Sequence, residues 1–89
     1  MRKKYIVVAN RPTRVIYAAW EFGLRNAQRC ADRAPTIFGA NERGQFPTRK
    51  AAESFATRIN QAVEYQRGRA SVHGVRFPSA GGARVEVSD

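Results

Sequence analysis

The chain has 89 residues, one cysteine and a formal net charge of +9, with 43% hydrophobic and 10% aromatic residues. That length holds one domain with a small core, and the apolar content is too high for a disordered chain despite the charge. With Cys30 as the single cysteine, an internal disulfide and a cysteine-built zinc site are both excluded, and the chain reads as cytoplasmic.

The first element is a β-branched run, Ile6-Val7-Val8, within Lys4 to Asn10, which predicts a buried strand. Its apolar stretch is about half the minimum core of a signal peptide and leads straight into Asn10-Arg11-Pro12, so no leader is expected. No stretch reaches the length of a membrane span. Arg11-Pro12-Thr13-Arg14 supplies turn chemistry, because proline fixes its own φ and pushes the preceding residue away from helix.

Val15 to Phe22 fits two periods. As a strand it places Ile16, Ala18, Trp20 and Phe22 on one face and pairs with Lys4 to Asn10 in a hairpin. As a helix it places Ile16, Trp20 and Leu24 at three-to-four spacing and aligns Arg25, Arg29 and Arg33 on an outward stripe. Residue preferences divide the segment: a strand to Phe22, a break at Gly23, then a short helix over residues 24–34 that ends before Pro35.

Thr36-Ile37-Phe38 forms a third short strand, and Gly39 to Gly44 is rich in turn formers. The clearest periodicity follows. Ala52, Phe55, Ala56, Ile59, Ala62 and Val63 predict a long helix over residues 49–67, with Thr48 as its N-cap, Phe46 pinning its entry and Gly68 just past its end. Val72 to Phe77 and Ala83 to Val87 read as two strands joined by the loop Pro78-Ser79-Ala80-Gly81-Gly82. The expected fold is therefore α+β: one domain over residues 1–89, with an antiparallel sheet of four to five strands, the long helix across one face and a short helix near 24–34.

Motifs for chemistry are sparse. The spacing of Gly39 and Gly44 imitates a P-loop, but Gln45-Phe46 stands where lysine and a hydroxyl would hold phosphate and metal. The start of the long helix, with Arg49 and Lys50, offers a weak anion site that an ordinary cap explains better. His73 is the sole histidine and reads as a surface residue, while Cys30 reads as a small buried filler. Seven carboxylates are scattered singly, without the pairing that acid-base catalysis uses, and no nucleophile elbow or cofactor fingerprint occurs. No enzyme, cofactor, metal or small-molecule substrate is expected.

The basic residues carry the functional signal. Thirteen of sixteen are arginine, and before Pro35 the basic residues exceed the acidic ones by 6 of the total +9. Such a surface suits polyanions, since phosphate binding releases counterions and guanidinium matches the phosphate fork. A GC-rich coding sequence gives the same bias without a special partner.

The leading expectation is a non-enzymatic module that binds nucleic acid through arginine-phosphate contacts, carried by Arg11, Arg14, Tyr17, Arg25, Arg29 and Arg33. Trp20 and Phe22 are expected in the core, with the roles of Tyr5 and Tyr17 open. Arg49, Arg58 and Arg67, on a helix of mixed charge, are expected to matter less. The alternative is a phage or mobile-element protein that inhibits a host protein or a nucleic-acid-guided defence complex, in the manner of an anti-CRISPR, by docking arginines on an acidic or nucleic-acid-binding surface. A structural subunit that self-associates is a third reading.

Overall fold

A computed structural model describes residues 3–26, 29, 37–38, 45–77, 79 and 81–88. Three strands form an antiparallel sheet in the order β2-β1-β3, with β1 at Lys4–Ala9, β2 at Ile37–Phe38 and β3 at Ala83–Ser88. Among the described residues two long helices, α1 at Arg11–Phe22 and α2 at Arg49–Val72, and a 3-10 turn at Leu24–Asn26 complete the fold. The class is α+β as the residue pattern suggests. The sheet of four to five strands and the single long helix are both overturned: two six-residue strands and a two-residue one pair among the described residues, and a second full helix takes the place of the predicted hairpin strand.

The local reason for that second helix lies at Asn10. Its side-chain oxygen accepts a hydrogen bond from the Thr13 N–H at 2.9 Å, satisfying a donor that the helix start leaves without a partner. Pro12 sits in the first turn, where its missing N–H costs nothing. The residues that imitate a hairpin turn are thus a helix start. At the other end Gly23 takes φ 95° and its N–H reaches the Ala19 carbonyl at 2.9 Å, so the break predicted at Gly23 falls at a helix end. The predicted helix over 24–34 lies largely outside the described residues, as does Cys30.

With α1 helical, β1 has no partner in the next segment and pairs instead with the far end of the chain. The register runs from Lys4 opposite Ser88 to Ala9 opposite Ala83, while Val7 and Val8 meet β2 on the other edge. Beside β2, Tyr5 exchanges backbone hydrogen bonds with Phe46. The predicted strand Val72 to Phe77 does not form: Val72 ends α2, and residues 75–77 are in no strand.

The start of β3 is held by side chains. Asn60 on α2 accepts from the Ala83 N–H at 2.7 Å and donates to the Ala83 carbonyl at 3.2 Å, while the buried Thr13 hydroxyl accepts from the Gly82 N–H at 3.2 Å. Gly82 has φ 85°, and a Cβ there would lie 3.0 Å from the Asn60 side-chain oxygen, so glycine is required on both counts.

The inner face of the sheet, with Val7, Ala9 and half-buried Val85, packs on Ala52, Ala56, Ile59 and Val63 of α2. Ile16 of α1 joins the same core, and Phe46 closes its end with its ring 5.4 Å from that of Phe55. Among the described residues no helix is long and apolar enough to cross a membrane.

Candidate functional site

Helix α1 meets α2 through Ile16 and Ala19, both at most 1% exposed. Small residues bring the two backbones close. A residue as large as Trp20 cannot enter such a seam and is carried to its rim, where it is 48% exposed; Phe22 is 46% exposed. The expected burial of these two rings is overturned.

Trp20 lies between two clefts along the seam. The smaller, of about 80 Å³, is lined by Tyr17, Trp20, Phe55, Arg58 and Ile59. The larger, of about 320 Å³, is lined by Trp20, Leu24, Arg25, Asn26, Gln66 and Arg69 together with Ala19 and Gly23. Tyr17 and Trp20 rest against each other with ring centres 5.7 Å apart and planes tilted by 39°. Burial raises the Tyr17 phenol above its ordinary value, and the neighbouring Glu21 carboxylate adds to this by its charge and by accepting a hydrogen bond, while Arg58 acts in the opposite direction. The phenol is a neutral donor at physiological pH.

The carboxylates divide the arginines into two groups. Arg49 pairs with Glu53 at 3.7 Å, Arg67 with Glu64 at 3.3 Å and Arg84 with Glu86 at 2.9 Å. Arg49 also lies over the Tyr5 ring at 5.4 Å, which gives that tyrosine a structural neighbour rather than a free face. Arg25, Arg29, Arg58, Arg69 and Arg76 are exposed and have no ion pair among the described residues. Three of them, Arg25, Arg58 and Arg69, flank Trp20.

Of the residues singled out from the sequence, the structure brings Tyr17 and Arg25 to the seam. Arg11 and Arg14 line neither cleft; they stand in the first turn of α1, about 16 Å and about 12 Å of helix rise from its end. Arg14 is half-buried, and its Nε is enclosed without a hydrogen-bond partner. Arg29 is exposed, and Arg33 lies outside the described residues.

Sequence reasoning set Arg58 aside with the helix of mixed charge and did not single out Arg69. They stand eleven positions apart on α2 with Tyr65, 62% exposed, between them. Three helical turns span that interval, so all three lie on one stripe. Plotting α2 by helical angle would have exposed this stripe, but nothing in it says that α1 lies alongside.

No group of three or more histidine, cysteine or carboxylate side chains suited to a metal occurs among the described residues. Comparison of the chain with known protein families, with characterised proteins and with solved structures finds no match.

Proposed function

We propose that this chain is a non-enzymatic nucleic-acid-binding module that holds phosphates with arginines along the seam between α1 and α2. The observation that carries the reading is the gathering of three exposed arginines, Arg25, Arg58 and Arg69, around Trp20. None of them is paired with a carboxylate among the described residues, whereas Arg49, Arg67 and Arg84 are matched to Glu53, Glu64 and Glu86. Unmatched guanidinium groups in one groove, on a chain of net charge +9, make a local field that attracts phosphate and releases counterions on contact. Arg11 and Arg29 extend the basic surface beyond the groove.

The test is binding of the whole chain to mixed nucleic acids, followed by fluorescence anisotropy across a salt series. Three phosphate contacts correspond to a log-log slope of about −2 to −3. Replacing Arg25, Arg58 and Arg69 together by glutamine flattens that slope by about the same amount, whereas replacing the paired Arg49, Arg67 and Arg84 leaves it nearly unchanged. Absent or salt-independent binding refutes the proposal.

The half-exposed Phe22 supports a second reading, an inhibitor that docks on an acidic host protein. Affinity purification with and without nuclease separates the two: a stoichiometric protein complex that survives nuclease favours the inhibitor.

A further inference from the structure

We infer that the seam accepts single-stranded nucleic acid, with one unstacked base lying against Trp20 in the larger cleft. The inference rests on the nucleic-acid reading above and adds the class of strand and the mode of contact. Three features of the cleft support it.

The first is size. At about 320 Å³ the cleft lies at the lower end of small-ligand pockets, which suits one nucleotide and no part of a duplex.

The second is the chemistry of the walls. Trp20 and Leu24 are apolar, Asn26 and Gln66 carry amides, and Arg25 and Arg69 carry unmatched charge. An aromatic face stacks on any base, amides pair with donors and acceptors on base edges, and guanidinium groups take the adjoining phosphates. Gln66 lines the cleft and is 2% exposed, so packing holds it in place.

The third is geometry. Trp20 stands at the rim of the seam, 48% exposed, so its ring can meet an unstacked base, whereas in a duplex the face of a base is covered by its neighbours. On the exposed side of α2, Arg49 and Arg67 are paired with Glu53 and Glu64, while Arg58 and Arg69 line the two clefts at Trp20. From the larger cleft, Arg58 lies on the far side of Trp20, where it meets the next phosphate of the strand.

Trp20 is the only tryptophan, so its own fluorescence reports the contact. The wild-type chain is titrated with an unstructured mixed-sequence 12-mer and with the corresponding duplex at equal salt. The expected result is quenching by the single strand and an affinity at least tenfold above that for the duplex. Labelled-oligonucleotide anisotropy then compares variants whose circular dichroism matches the wild type. W20A weakens single-strand binding about tenfold or more with the salt slope unchanged, W20F retains most of the affinity, and R25Q with R69Q lowers the slope by about 1.4.

Equal affinity for duplex and single strand, or W20A binding like the wild type, overturns the stacking inference and leaves the phosphate reading standing. Failure to bind any nucleic acid overturns both. Loss, on W20A substitution, of a protein complex that resists nuclease also overturns it and assigns the cleft to a protein partner.

Discussion

Trp20 and Tyr17 show how far a side chain's role depends on the size of its neighbours. Trp20 has the largest apolar surface in the chain, which by itself argues for burial. Ile16 and Ala19 hold the buried positions that face α2, and Trp20 stands beside them at the rim. Tyr17 is half-buried beside it and hydrogen-bonded to Glu21.

The phenol therefore holds its proton more tightly in the folded chain than in the unfolded one. Its contribution to stability is complete below the ordinary tyrosine value of 10.0 and is lost as pH rises through the higher folded value. Urea unfolding between about pH 8 and 11 is expected to show this loss, and Y17F is expected to show less of it. An unchanged alkaline slope in Y17F would place the effect on another group. Because Tyr17 is partly exposed, the difference is expected to be modest.

Within elements, the ends depended on side chains whose local meaning is ambiguous. Asn-Arg-Pro-Thr is equally good chemistry for a turn and for a helix start, and the Asn10 hydrogen bond to Thr13 selects the helix. Gly68 was open to the opposite error. A glycine after a periodic run reads as a helix end, but α2 continues to Val72 and the left-handed conformation is taken by Gly74 at φ 76°. The continuation buries Ala70, which is 0% exposed, and lets its carbonyl accept from the N–H groups of His73 at 3.1 Å and Val75 at 2.9 Å.

Gly68 itself has no positive φ, and an added Cβ would have no atom within 4 Å. Gly68→Ala is therefore expected to stabilise the fold by about 0.5–1 kcal/mol, seen as a higher urea midpoint. Destabilisation of similar size would mean that the helix stops at residue 67.

For the molecule as one body, the decisive contact joins the two ends of the described chain. β1 and β3 are separated by α1 and α2, yet all six residues of each are in register. Closing that long loop costs entropy, which the inner face of the sheet recovers by packing on α2. Val85 lies opposite Val7 and is packed on the core. Val85→Asp would bury a carboxylate there and is expected to cost about 2–4 kcal/mol. Helical circular dichroism and Trp20 fluorescence should lose stability together in urea, because α1 and the sheet share one core. A fluorescence transition that stays in place while the sheet is lost would separate α1 from that unit.

The amino-acid order by itself determined the long helix, the strand at Ile6-Val7-Val8, the strand at Ala83 to Val87, the break at Gly23 and a basic surface. Each rests on local periodicity, conformational preference or formal charge, which need no knowledge of distant residues. The placement of Tyr17 and Arg25 beside each other's neighbours was legible only as membership in a basic, aromatic segment. Tertiary structure decided the rest: which strand β1 pairs with, which aromatic rings stay outside, and which arginines remain unmatched once Glu53, Glu64 and Glu86 have taken their partners. Those outcomes are competitions among residues far apart in sequence, settled by the room between α1 and α2 and by the reach of each carboxylate. For that reason Arg58 and Arg69 join Trp20 at the candidate site, although neither belongs to the arginine-rich segment that first suggested it.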